Sequence, residues 1–132
     1  MRPNPSIERT SVGTHDLRRA TAFYDAVLSP LGIERVSGKY QNWAAWQRPG
    51  EAAKLWVGLP FNGLQASSGN GCMVAFAAPS RAAVDAAYAA AVAAGAQDEG
   101  APGLRLHYAP DYYGAYVRDP DGNKLHFVCR KA

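Results

Sequence analysis

The side chains able to do chemistry in this 132-residue chain are few. There are three histidines (His15, His107, His126), two cysteines (Cys72, Cys129) and three tryptophans (Trp43, Trp46, Trp56). An unperturbed histidine titrates near neutral pH, which makes His126 the candidate general acid or base. No obvious carboxylate in the sequence orients it, so a histidine satisfied within a pocket is the competing reading. His107 sits in Leu106-His107-Tyr108-Ala109-Pro110-Asp111-Tyr112-Tyr113 and is read either as pocket lining or as hydrogen-bonded to the adjacent loop. His15 precedes a helix cap and reads as exposed. The cysteines lie far apart, in no metal or redox spacing, so two buried free thiols in a cytosolic protein are expected. Trp43, Trp46 and Trp56, with Tyr113 and Tyr116, are able to stack on a flat ligand, although strand aromatics more often build core. Gly69-Asn70-Gly71 precedes a strand rather than opening a helix, so no phosphate-cradling loop is present. No serine sits in a nucleophile elbow.

These residues need elements to position them. At 48% hydrophobic and 19% charged, the chain has the composition of a globular domain, and its length suits one. Subtracting 11 acidic from 14 basic residues leaves +3, with a pI near 9.0. The basic residues are scattered, with Arg18-Arg19 and Arg130-Lys131 the only adjacent pairs, so nucleic acid is not an expected partner. The start, Met1-Arg2-Pro3-Asn4-Pro5-Ser6, has no apolar stretch behind its charge and predicts no secretory leader. The run Ala82 to Ala96 is interrupted by Asp85 and Tyr88 and is too short to span a membrane. A cytoplasmic protein is expected.

Asp16 predicts a helix N-cap, with Leu17, Ala20, Tyr24, Val27 and Leu28 on one face and Ser29-Pro30-Leu31-Gly32 as the stop. Ser80 caps a second helix whose face is Val84, Ala87, Tyr88, Ala91 and Val92, closed by Gly95. Strands are expected at Arg9 to Gly13, Asn42 to Gln47, Leu55 to Leu59, Met73 to Ala77, Tyr113 to Arg118 and Leu125 to Cys129. The last two are joined by the turn Asp119-Pro120-Asp121-Gly122-Asn123. Shifting the chain by 64 residues lays Arg9 on Met73, Val12 on Phe76 and Tyr24 on Tyr88. Shifting by 70 lays Trp46 on Tyr116, Leu55 on Leu125 and Trp56 on His126. Each half therefore reads as strand, helix and about three strands, repeated once.

The pieces Asp16-Leu17-Arg18-Arg19-Ala20-Thr21-Ala22-Phe23-Tyr24-Asp25, Pro30-Leu31-Gly32 and Val74-Ala75-Phe76-Ala77-Ala78-Pro79-Ser80 carry a family resemblance. The most specific piece is Tyr116-Val117-Arg118-Asp119-Pro120-Asp121-Gly122-Asn123-Lys124-Leu125. In this order the chain resembles the vicinal oxygen chelate superfamily of glyoxalases, bleomycin-resistance proteins and extradiol dioxygenases. The resemblance implies an α+β fold in a single domain over residues 1–132: two βαβββ modules curl into a pseudo-symmetric open cup of mixed β-sheet with helices outside. Module one covers about 7–59, a linker about 60–71, and module two about 72–129. A bacterial homodimer with a small-molecule ligand is also implied.

Metal-dependent members of that superfamily place ligands at the positions held here by Arg9, Trp56, Met73 and His126. Strand parity is consistent with grouping them, because Leu55, Val57, Leu125 and Phe127 take the helix-covered face and leave Trp56 and His126 toward the cup. A catalytic divalent ion needs about three lone-pair ligands. Arg9 is cationic, Trp56 is only a donor, and Met73 offers a thioether suited to soft copper. Only His126 qualifies, so neither metal nor other cofactor is expected. Arg9 in a partly dry pocket calls for a partner: an anionic ligand group, or an internal carboxylate among Glu34, Glu51 and Glu99, with Glu8 excluded by parity. The expected function is metal-free binding of a small organic ligand, an anionic one where Arg9 takes its partner from the ligand, by Arg9, Trp56, Met73, His107 and His126. The alternatives are a glyoxalase-like lyase or dioxygenase-type enzyme, metal-dependent or using His126 as acid/base, and a structural partner with a vestigial cup.

Overall fold

In the computed structural model, which describes residues 5–38 and 40–132, each half of the chain forms a strand, a helix and three strands. The start of the chain, read above for a leader, lies mostly outside the described residues. Helix α1 (Leu17–Leu28) begins where Asp16 accepts a hydrogen bond from the Arg19 backbone N–H at 3.0 Å. It buries Ala20, Phe23, Tyr24, Val27 and Leu28, so Phe23 joins the predicted face while Leu17 stays half-buried. A short 3-10 turn, Ser29–Leu31, follows, and Gly32 closes it at φ 77°, a left-handed conformation that costs glycine little.

Helix α2 (Arg81–Ala93) is capped by the Ser80 hydroxyl, which accepts from Ala83 N–H at 3.0 Å. Its buried stripe is Ala83, Val84, Ala87 and Ala91. Val92, expected on that face, is 45% exposed. At about 100° per residue it lies about 80° round from Val84, beyond a stripe of narrow alanines.

The strands form two four-stranded sheets. The first, β1 (Thr10–Gly13), β2 (Glu34–Arg35), β3 (Trp43–Gln47) and β4 (Leu55–Gly58), has the order β1-β4-β3-β2. The second, β5 (Val74–Ala77), β6 (Gln97–Leu104), β7 (Tyr113–Arg118) and β8 (Lys124–Cys129), has the order β5-β8-β7-β6. In each, the first strand runs parallel to the last and the other pairs are antiparallel. Thr10 stands opposite Leu55, and Val74 opposite Leu125, so the two registers repeat the offsets of 64 and 70 seen in the sequence. The fold is α+β, with two open mixed sheets and two helices.

Both helices pack on one side and against each other over a shared core. Leu55, Val57, Leu125 and Phe127 are buried there, as their parity predicts, together with Trp46 and Val117. The linker from Pro60 to Gly71 forms turns and no helix or strand. The modules are tied by the turn after β7. Tyr24 donates its hydroxyl proton to the buried Asp119 carboxylate, and Asn123 donates to Gly13 O at 2.9 Å. Cys129 is buried, but Cys72 is exposed, contrary to the expectation of two buried thiols, because it sits at the end of the linker before β5 begins. Among the described residues no helix is long and apolar enough to cross a membrane.

Candidate functional site

On the face of the first sheet away from the helices, Arg9, Ser11, Tyr40, Asn42, Trp43 and Trp56 surround a cavity of about 820 Å³. Trp43 and Trp56 come from neighbouring strands, and Arg9 from the residue just before β1. The Arg9 guanidinium lies 5.9 Å from the centre of the Trp56 ring, a cation–π distance. Tyr40 meets the same indole edge-on at 5.3 Å. The Trp56 indole N–H is buried and has no hydrogen-bond partner among the described residues.

Arg9 departs from expectation in its partner. It pairs with Glu8 at 3.2 Å, with 61% of its side chain exposed. Parity does not exclude Glu8, because the strand begins only at Thr10 and residues 8 and 9 lie outside the pleat. The pair is solvated and weak. Two of the internal partners considered, Glu51 and Glu99, pair instead with Arg48 and Arg118.

His126 lies elsewhere. It is 1% exposed on β8. Its Nδ1 stands 2.9 Å from the Ala115 carbonyl, which accepts only, so Nδ1 carries the proton. Nε2 is then the acceptor for the Tyr112 hydroxyl at 2.7 Å. Tyr116 stacks on the imidazole at 4.0 Å and Tyr112 at 5.7 Å. A Cβ on Gly114 would stand 2.5 Å from His126 Cε1, so glycine on β7 makes room for the ring. Burial holds the imidazole pKa below its ordinary value; the Ala115 hydrogen bond opposes this, and Arg105, Lys124 and Arg130 add to it.

Met73 and His107 are exposed and line a second cavity, of about 330 Å³, shared with Arg105, Tyr108, Tyr116 and Lys124. Thus Arg9 and Trp56 share one hollow, Met73 and His107 another, and His126 is sealed beside the second. His15 is exposed and pairs with Asp121 at 3.2 Å. Trp46 is core and donates to Asp25 at 3.0 Å. Tyr113 donates to Asp85 on α2. Among the described residues, no three His, Cys, Asp or Glu side chains cluster as a metal site would require.

Several residues of these sites are not singled out by sequence: Tyr40, Asn42, Arg105 and Lys124, which line the cavities, and Tyr112, which covers His126. Trp43 had a signal, since it lies three residues from the core Trp46 and must face the other way on a strand. Tyr112 lies in the segment Leu106 to Tyr113 quoted above for His107, but only the path of the loop after β6 carries it over His126.

The family model for the Glyoxalase/Bleomycin resistance protein/Dioxygenase superfamily matches residues 6–127. Among solved structures, a glyoxalase/bleomycin resistance protein from Albidiferax ferrireducens T118 is 39% identical with a TM-score of 0.79, covering 92% of this chain and 95% of that one. A glyoxalase/bleomycin resistance protein/dioxygenase family enzyme from Burkholderia phytofirmans PsJN has a TM-score of 0.72 at 20% identity, covering 96% and 100% of the two chains. Lactoylglutathione lyase from Agrobacterium tumefaciens has a TM-score of 0.64 at 23% identity, covering 97% and 96%. The last two likenesses show the fold alone. No curated protein matches the chain.

Proposed function

Because the chain belongs to the glyoxalase/bleomycin resistance protein/dioxygenase superfamily, we propose that it binds a small, flat, anionic organic molecule in the Arg9–Trp56 cavity, without a metal. One observation carries this reading: a guanidinium stands over an indole face in a hollow of about 820 Å³. That volume falls within the roughly 300–1,000 Å³ of small-molecule sites. The indole offers a stacking surface, and Arg9 a bidentate contact for a carboxylate or phosphate at the ligand's edge. Glu8 is a solvated partner, so an anionic ligand displaces it at small cost.

The donor set does not fit a divalent ion. Arg9 and Trp56 have no lone pair to give, and Met73 has only its thioether. Both His126 nitrogens are engaged, one donating to Ala115 and the other accepting from Tyr112. The same engagement counts against His126 as general acid or base, because such a group must come within hydrogen-bond reach of a substrate proton.

Titration with benzoate and its neutral isostere benzamide tests the reading. Wild type is expected to bind benzoate more tightly, and Arg9→Met, which keeps bulk but loses charge, to bind the two alike. Equal binding of both by wild type would overturn the anion contact and leave an apolar pocket. A preference for benzoate that persists in Arg9→Met would place the anion elsewhere.

A further inference from the structure

The cavity beside β6 is lined by two cations, Arg105 and Lys124, of which the first is held in place by backbone carbonyls. Arg105 follows β6 directly and spreads its guanidinium near the Tyr116 ring, 5.7 Å from the ring centre. It donates to Ala101 O at 2.8 Å and to Gly103 O at 3.0 Å. A Cβ on Gly100 or on Gly103 would stand 3.2 Å from one of its terminal nitrogens, so both glycines leave the room the fork occupies. Two of its five N–H groups are used, and no carboxylate among the described residues pairs with it. Lys124 on β8 sets its ammonium 5.3 Å from the same ring and likewise has no ion-pair partner among the described residues. Glu99, the acid on this wall, is committed to Arg118. His126 stacks on Tyr116 at 4.0 Å, and both cations line the same cavity as that ring. Like charges held together repel, and the ring quadrupole offsets only part of that cost.

We propose that this cavity of about 330 Å³ is an oxyanion site separate from the Arg9–Trp56 cavity, taking a phosphate or phosphoryl group between Arg105 and Lys124. The planar fork of Arg105 keeps N–H groups for two oxygens, and Lys124 supplies a mobile point charge. Tyr116 adds no competing negative charge, since burial foremost pushes its pKa up to about 12. His107 and Tyr108 stand at the wall, 4.1 Å apart between ring centres, where the organic part of a phosphorylated ligand would leave.

Calorimetric titration of the full chain with inorganic phosphate, and in parallel with glycerol phosphate, tests the site. Saturable binding at one site per chain is expected. Lys124→Met should weaken it at least roughly tenfold, and Lys124→Arg, which retains the charge, should restore it. The tighter of the two ligands tells whether the group is free phosphate or part of an organic molecule, and either supports the site. Phosphate binding should survive Arg9→Met, so this proposal and the preceding one fail separately. No saturable binding at millimolar phosphate, wild-type binding by Lys124→Met, or loss of binding in Arg9→Met would each overturn it.

Discussion

His126 shows what a single residue loses by being fully satisfied. With Nδ1–H donating to Ala115 O and Nε2 accepting from Tyr112, the ring is locked in one tautomer between two tyrosines. Its pKa is lowered in the folded chain, chiefly by burial. The unfolded chain therefore takes up the proton first as pH falls. Stability from this group is complete above its ordinary value of about 6.5 and is lost as pH drops through the lowered folded value. Urea unfolding from about pH 8 down to about pH 5 should show wild type losing more stability than His126→Gln. Parallel pH profiles for the two proteins would contradict it.

At the scale of elements, the turn after β7 acts as a clasp on the start of α1. The Asp121 carboxylate, 3% exposed, accepts from the Thr14 hydroxyl at 2.6 Å and the His15 backbone N–H at 3.2 Å, and pairs with Arg19 at 3.0 Å. The clasp joins residues more than a hundred positions apart, so breaking it loosens one module from the other. Asp121→Ala should destabilise the chain by about 1–2 kcal/mol in chemical denaturation, since it removes at once the hydrogen bond from the buried Thr14 hydroxyl and the contacts of the more exposed His15 N–H and Arg19. Asp111→Ala removes an exposed pair to Arg81 and should cost less than about 0.5 kcal/mol. Equal losses from the two would show that the clasp contributes nothing special. The other lesson at this scale is β6. Gly100, Pro102 and Gly103 give Gln97–Leu104 little strand character, and its pairing with β7 shifts register twice. Pairing across the β7 edge, rather than propensity, makes it a strand.

The whole molecule determines what the site can hold. A structural or catalytic divalent ion would need about three lone-pair side chains converging in one place, and folding distributes the four corresponding positions over separate spaces. Elemental analysis of untagged protein prepared without chelator should therefore find well under one equivalent of Ni, Zn, Fe, Mn or Co per chain. An ion near one per chain, lost together with His126→Ala, would overturn the metal-free reading.

Local chemistry was enough to read the caps at Asp16 and Ser80, the two-module order, the 64- and 70-residue offsets and the parity of Trp56 and His126. Each depends on the spacing of neighbours along the chain, where a period of two or of 3.6 decides which way a side chain points. Where each side chain ends up was not legible in that way. Parity turns His126 to the sheet face away from the helices, but only the loop through Tyr112 covers it there. Parity likewise leaves open whether Arg9 lies within the pleat; the strand's start at Thr10 places it outside, beside Glu8 and water. The Arg105–Lys124 cavity depends on an arginine after one strand and a lysine on another meeting at one tyrosine. Such meetings are set by sheet pairing and by the course of loops over long sequence separations, where no local period operates.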